Sequence, residues 1–297
     1  MLSVLIPVFA WDPTQLARDL EKQLDRSGVD YEILIGDDTP NLKKPAYQTE
    51  LENSSRIVGF YRDRSVGRSV NRNSLAEAAR YPYLLFIDGD AGIVHTDYIT
   101  NYLIHLEPKT VLAGGTLYAK EKPADPAYEL RWKYGRLREQ SPAALRTKIP
   151  WKSFSTFNFL VPAEVFKKIR FNENIAGYGH EDTFFGFRLK EMDVSIVHLD
   201  NGLMHLGLEP ASRFLEKVDE SVCNLIKLYQ AGIMPVEMIR DINLLKRFIR
   251  IRKAGLKGLT KQVLGMLDKS IRRRLLKPDP PLLLLDLYKL GTACRIA

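Results

Sequence analysis

Apolar residues in the first third of the chain fall in short unbroken runs, and the polar stretches between them carry helical spacing. Leu2 to Phe9 is apolar and ends in a loop around Trp11-Asp12-Pro13. Leu16, Leu20 and Leu24 then recur at helical intervals across 14 to 26. Tyr31 to Gly36 is a second run, ending at Asp37-Asp38, and Arg56 to Tyr61 is a third. A helix over 67 to 79 carries Val70, Leu75 and Ala78-Ala79, and Tyr83 to Ile87 is the fourth run. Strands covered on both faces read as continuous apolar runs rather than as alternation. Strands alternating with helices predict an α/β fold, a Rossmann-like, mostly parallel sheet flanked by helices.

After Asp90 the pattern changes. Spacing predicts a helix over 95 to 106, a strand over 110 to 118, a strand over 154 to 161 and a short helix over 163 to 169. The stretch from 120 to 150 is polar, basic and marked by prolines, and reads as a mobile excursion. Val194 to His198 reads as the strand that closes the sheet-forming part. Helical patterns then cover 211 to 231, 236 to 254 and 256 to 276, so a boundary is expected at Glu209-Pro210. The expected organisation is a catalytic domain over 1–209 and a helical, basic C-terminal extension over 210–297.

Charge sharpens that division. The net charge of +8 is uneven: Arg240 to Lys277 holds thirteen Lys and Arg against Asp241 and Asp268, a net of +11 that leaves −3 for the rest. One face of the last long helical pattern offers Leu256, Leu259, Val263, Leu267 and Ile271, the other Lys257, Lys261, Lys269 and Arg272. A basic amphipathic helix suits the surface of an anionic membrane; an appendage packed on the catalytic domain or an oligomer interface would show the same pattern. The basic segment lacks interleaved aromatics, so nucleic acid is not an expected partner. No window approaches the ~20 apolar residues that span a bilayer. The chain opens directly on a strand pattern with no basic leader, which is not the pattern of a secretory signal. Cys223 and Cys294 form no metal or disulfide framework. The expected location is cytoplasmic, with peripheral contact at the cytoplasmic face of a membrane.

Candidate chemistry sits where strands end. Tyr83 to Ile87 stops abruptly at Asp88-Gly89-Asp90, two carboxylates separated by a residue that lets a ligand approach the backbone. Oxygen-rich side chains at a strand's carboxyl end suit a hard cation such as Mg2+ or Mn2+, and ligands of open α/β sheets bind outside that end. The same residues also suit an ordinary loop start. Three further clusters follow the same logic: Asp37-Asp38, the segment Gly67-Arg68-Ser69-Val70-Asn71-Arg72-Asn73, and Gly177-Tyr178-Gly179-His180-Glu181-Asp182.

In this order, with the opening strand Ser3 to Phe9, the clusters resemble the family 2 nucleotide-sugar glycosyltransferases of GT-A fold, over roughly residues 1 to 208. The resemblance implies that Pro7, Val8 and Phe9 border the nucleotide base and that Asp38 accepts a hydrogen bond from a uracil imide; Asp37-Asp38 also reads as a turn with a helix cap. It implies that Arg72, with Arg68 as a second candidate, pairs with phosphate or orients the carboxylates, although Asn71 stands where Ala is usual. Asp88, Gly89 and Asp90 would form the donor site, with Asp90, Asp88 and His205 toward the metal; a lone histidine equally suits a structural role. Asp182 would be the base and Glu181 would position the acceptor. Tyr178 stands where tryptophan is common, and His180 where glycine is, which leaves the donor sugar open. Asn158 is a further candidate for donor or acceptor contact, or for satisfying buried backbone groups, and Trp132 and Trp151 for an acceptor groove or simple packing.

The implied activity is inverting transfer of a hexose or N-acetylhexosamine from a UDP-sugar, with Mn2+ or Mg2+, to a hydroxyl of a glycan or lipid-linked glycan in surface polysaccharide synthesis. Two alternatives stand beside it. A nucleotidyltransferase would need a Gly/Arg/Lys-rich phosphate loop after the first strand, and 9 to 16 has none. A non-catalytic membrane-associated scaffold would not need the Glu181-Asp182 pair.

Overall fold

The computed structural model describes residues 1–40, 45–51, 53–175 and 177–297. Its strands are β1 (Leu2–Val8), β2 (Tyr31–Asp37), β3 (Ile57–Tyr61), β4 (Tyr83–Ile87), β5 (Ala91–Gly92), β6 (Thr110–Ala113), β7 (Thr116–Leu117), β8 (Asn158–Pro162), β9 (Ser195–His198) and β10 (Leu203–His205). The described helices of four or more residues are α1 (Thr14–Ser27), α2 (Ala46–Leu51), α3 (Arg68–Ala78), α4 (Tyr98–Leu103), α5 (Glu129–Tyr134), α6 (Ala143–Arg146), α7 (Ala163–Ile169), α8 (Glu181–Glu191), α9 (Ala211–Gln230), α10 (Val236–Asp241), α11 (Asn243–Lys253), α12 (Lys257–Leu275) and α13 (Leu282–Ile296), with a π-helical turn over Gly135–Glu139.

Seven strands form one sheet in the order β3-β2-β1-β4-β8-β6-β9, parallel except for β8, which runs against both neighbours. The chain leaves β1 toward β2 and β3 on one side and returns to place β4 on the other. The carboxyl ends of β1 and β4 therefore flank the point where strand order reverses, the usual place for a ligand in such sheets. β1 and β2 are buried almost throughout, as their unbroken apolar runs predict. One face of the sheet packs Leu16, Leu20 and Leu24 of α1 together with Tyr98 and Tyr102. The other packs Phe86, Phe159, Phe166, Phe171 and Phe185 into an aromatic cluster, with ring centroids 4.6 Å apart for Phe171 and Phe185. That cluster anchors α8, which carries Glu181 and Asp182 at its first turn.

The predicted strand over 110 to 118 is two strands in two sheets. It breaks at Gly114-Gly115, where Gly115 has φ +90°. A side chain at Gly114 would meet Asn158 Nδ2, the Asn201 carbonyl and Tyr102 Oη within 2.5 Å. Past the break, β7 joins a small sheet of order β5-β10-β7. Val194 to His198 is consequently not the last strand: β10 follows it, and His205 lies inside β10 instead of beyond the sheet. The buried Arg146 guanidinium stitches this junction, donating to the carbonyls of Ala113, Gly114, Leu199 and Ser141 and to His198 Nδ1.

Contacts divide the chain into two compact units. The first comprises Met1–Tyr118, Gln140–Ile175 and Glu181–Gly207; the second comprises Ala119–Glu139, a short segment ending at His180, and Leu208–Ala297. Much of the polar stretch read as a mobile excursion is helical. In the second unit Glu129 accepts from the Asp279 amide at 2.7 Å, Lys133 pairs with Asp279 at 2.6 Å, and Arg131 lies over the Phe214 ring. The helical pattern over 236 to 254 is two helices, α10 and α11, because Ile242 adopts an extended backbone. α13 begins at the leucine run 282 to 285 and packs against α9 and α12; Asp219 of α9 accepts from Tyr288 at 2.6 Å and from Thr292 at 3.0 Å.

Candidate functional site

The strand-end residues are drawn together by backbone bonds. Gly89 N–H donates to the Pro7 carbonyl at 3.1 Å, and Asp38 N–H to the Val8 carbonyl at 2.9 Å. A side chain at Gly89 would stand 2.9 Å from Val8 Cγ2 and 3.2 Å from the Pro7 carbonyl, so this close approach of the two strand ends needs glycine. Phe9, the residue after β1, is 60% exposed.

Asp38 is buried and held by the segment that leads into α3. Its carboxylate accepts from Val66 N–H at 2.7 Å, Gly67 N–H at 2.9 Å and Ser65 Oγ at 2.8 Å. It thereby fixes the loop that enters α3, whose cap residue Gly67 has φ +88°. Asp37 is tied separately, to Tyr47 Oη and the Thr39 amide. The residues of 65 to 67 that clasp Asp38 were not legible in the sequence, since their common partner lies 27 to 29 positions away.

Arg72 is the centre of the site. It is 2% exposed, and Nη2 donates to Asp88 Oδ1 at 2.6 Å while Nη1 lies 3.8 Å from Glu181 Oε1. Its guanidinium stacks over Phe171 at 5.5 Å. Arg68, half exposed, reaches Glu181 Oε1 at 3.4 Å. Burial alone would raise the Glu181 carboxyl, but the charges of Arg68 and Arg72 outweigh it and hold the group below its ordinary value. Asp182, partly exposed next to it, behaves oppositely. Burial and then the Glu181 charge push it up to about 6, against hydrogen bonds from Thr183 N–H and Oγ1 that pull it down. Two adjacent carboxyls with opposite shifts are the pattern of an ion-pair anchor beside a proton acceptor.

Asp90 and His205 meet through the small sheet. His205 pairs with Ala91 across β10 and β5, and Leu206 N–H donates to the Asp90 carbonyl at 2.9 Å. His205 Nε2 then lies 3.5 Å from Asp90 Oδ2. Tyr118 and Phe157 stack on the imidazole at 5.3 and 5.4 Å and fix its plane; nothing in their local sequence announces this role. A side chain at Gly207 would strike Asp90 Oδ2 at 2.2 Å. The expected three-ligand set of Asp88, Asp90 and His205 is not assembled: among the described residues no group of three or more His, Cys, Asp or Glu could hold a metal. Asp88 is instead taken up by Arg72.

Contacts therefore run continuously from Glu181 through Arg72 to Asp88, and two residues on to Asp90 facing His205. Other candidates fall outside this chain. Asn158 is a structural hub whose amide is saturated: Oδ1 accepts from Tyr98 and Tyr102, and Nδ2 donates to the carbonyls of Gly115 and Asn201. Both amide N–H groups are used on backbone carbonyls, which is the backbone-satisfying role and not the sugar contact. Asn71 donates to the Gly36 carbonyl at 2.8 Å, and Asn73 exchanges bonds with the Phe171 backbone. Trp151 lies under Lys190 Nζ, and Trp132 donates to the Ala119 carbonyl. In the second unit Asn224 donates to the Tyr178 carbonyl, and the His180 ring lies 3.1 Å from Ser221 Oγ.

Comparison with known proteins agrees with this fold. Solved structures with the same fold include S. aureus TarS 1–349, at TM-score 0.50 and 14% identity over 99% of this chain and 88% of that one. The same protein in complex with UDP-GlcNAc matches at TM-score 0.50 and 13% identity, over 99% and 88%. The mannosyltransferase PcManGT from Pyrobaculum calidifontis, in complex with GDP-Man and Mn2+, matches at TM-score 0.56 and 12% identity, over 99% and 86%. No curated protein matches the chain. The sequence profile of Glycosyl transferase family 2 matches residues 3–170, more than half of the chain. The chain belongs to glycosyl transferase family 2 and has the GT-A fold.

Proposed function

We propose that the protein transfers a hexose or N-acetylhexosamine from a UDP-sugar to a hydroxyl of a glycan or lipid-linked glycan, with inversion, in surface polysaccharide synthesis. The observation that carries this reading is the Arg72 bridge, which ties the Glu181-Asp182 turn to the Asp88-Gly89-Asp90 turn. An acceptor activated at Asp182 would then face a diphosphate held at the end of β4. Two solved relatives in fold hold nucleotide sugars, one UDP-GlcNAc and one GDP-Man, which supports a nucleotide-sugar donor.

Uridine is favoured by the state of Asp38. A carboxylate offers about four acceptor positions, and among the described residues donors fill three of them, all from 65 to 67. One position matches the single imide N–H of uracil better than the two adjacent donors on the guanine edge. Pro7, Val8 and Phe9 would border the base.

A divalent ion fits the donors present. A carboxylate oxygen and an imidazole nitrogen 3.5 Å apart are close to the ~3 Å between adjacent ligands of an octahedral ion with bonds of about 2.1 Å. Two protein ligands are ordinary for Mg2+ or Mn2+ when substrate phosphates complete the shell. Asp90 and His205 would hold it, and its charge would offset that of the departing nucleotide.

The chain's own residues do the rest. Asp182, at about 6, is ionised at neutral pH yet basic enough to take the proton of the acceptor hydroxyl. The hydroxyl oxygen attacks the anomeric carbon from the face opposite the diphosphate; its new C–O bond forms as the bond to UDP breaks. Arg68, half exposed and 3.4 Å from Glu181, would offer its guanidinium to a phosphate oxygen. Glu181 stays ionised and orients the acceptor. Asp182→Asn tests the assignment: radiolabelled sugar transfer should vanish while UDP-sugar binding persists. Near-normal turnover would remove Asp182 from the mechanism.

A further inference from the structure

We propose that the outward face of α12 is a docking surface for an anionic lipid membrane. Within the second unit, α12 buries only Leu264, Ile271 and Leu275, and it packs chiefly on α13. The face turned away carries Leu256, Leu259, Val263, Met266 and Leu267, spaced at helical intervals, all exposed, with Met266 at 70% and Leu259 at 59%. Five large apolar side chains on twelve consecutive positions make a contiguous stripe, not the scattered exposure normal for a surface.

Charge selects the occupant. Exposed Lys261, Lys269 and Arg273 lie on the same helix, and exposed Arg247, Arg250, Arg252 and Lys253 lie on α11 just before it. The one acidic residue of α12, Asp268, is paired with Arg295 of α13 at 2.6 Å and does not offset them. Arg272 is likewise turned inward, donating to Tyr288 Oη. An apolar stripe on a helix whose other exposed side carries cations, with more on α11 before it, is complementary to lipid tails beneath anionic headgroups. A second copy of this chain would bring the same cations against each other. No described helix is long and apolar enough to cross a membrane, so contact at this face is interfacial.

The inference stands apart from the transfer reaction and is read without it. The full chain is sedimented with phosphatidylcholine vesicles, with and without phosphatidylglycerol, at low and high salt. Binding should appear only with phosphatidylglycerol and weaken as salt rises. Leu259→Glu with Met266→Glu should weaken it roughly tenfold or more. Lys261→Glu with Lys269→Glu and Arg273→Glu should abolish it, and thermal melts of both variants should match the parent because every altered side chain is exposed. Equal binding to neutral vesicles, no binding at all, or unchanged binding by the Leu259/Met266 variant would overturn the proposal. So would light scattering that shows a dimer dissociated by those same two substitutions.

Discussion

Arg72 donates to Asp88 across 2.6 Å, an ion pair of a buried guanidinium with a partly exposed carboxylate, between the helix that follows β3 and the turn that follows β4. The same guanidinium faces Glu181, which is more than a hundred positions further along the chain. One cation thus sets the relative position of two acidic turns that would otherwise repel. Removing it leaves the buried Glu181 with Arg68 as its remaining cation among the described residues and takes the cation from the partly exposed Asp88, and breaking a buried pair from one side is costly.

Arg72→Ala should therefore destabilise the protein by about 3 kcal/mol or more, read as a lower urea midpoint. Arg72→Lys keeps the charge but loses the planar fork that spans two carboxylates. It should recover part of the stability and little of the transfer rate. A midpoint for Arg72→Ala equal to that of the parent would mean that the bridge holds nothing.

Asp182 predicts the acid side of the pH profile. With its carboxyl at about 6, kcat/KM should fall close to tenfold for each unit of pH below that value, because the protonated acid cannot accept the acceptor's proton. Glu181→Gln removes one of the two causes that raise it, so the limb should move to lower pH. The linkage has a definite sign. A carboxyl raised in the folded state binds its proton more tightly there than in the unfolded chain, so stability declines as pH climbs from the ordinary carboxylate range through about 6. Asp182→Asn should accordingly melt higher than the parent at neutral pH, gaining up to about 3 kcal/mol, while losing transfer.

Strand runs that end in acid-rich turns are legible because strands buried on both faces leave no polar interruption until the chain emerges. β1, β2 and β4, and the turns after them, follow from this. What the pattern hides depends on distant partners. Thr116-Leu117 continues the apolar run of β6, yet the crowding at Gly114 comes from Tyr102, Asn158 and Asn201, none of them local. β10 is only three residues long and has no period to detect. Asn158 sits in a strand like a polar group with a task, but its task is to satisfy two tyrosines and two carbonyls. Asp88 lies in a motif that suits a metal, and the partner that claims it comes from α3.

Asp38 predicts nucleotide selectivity. UDP should bind more tightly than GDP in calorimetry, since among the described residues donors fill three of the roughly four acceptor positions on the carboxylate. Asp38→Ala would strip the acceptor from the Val66 and Gly67 amides and loosen the loop, costing about 2 kcal/mol of stability. It should also weaken UDP more than it weakens a ribose phosphate that lacks a base. Equal affinity for UDP and GDP in the parent would leave Asp38 as a loop anchor alone.

The meeting of Asp90 and His205 predicts how the donor responds to metal. If these two side chains hold the ion together with the diphosphate, UDP affinity should rise when Mn2+ is added and fall back when it is chelated. Asp90→Ala should erase that difference and leave metal-free binding close to the parent's. His205→Ala should reduce it in the same way. The histidine also fills the space between Tyr118 and Phe157, so its loss costs packing as well. His205→Gln separates the two effects, because it retains a side chain of similar reach with an amide that is a poor ligand. A parent whose UDP affinity is unchanged by Mn2+ would reduce the pair to a structural contact. A Mn2+ effect that survives Asp90→Ala would place the ion on other residues.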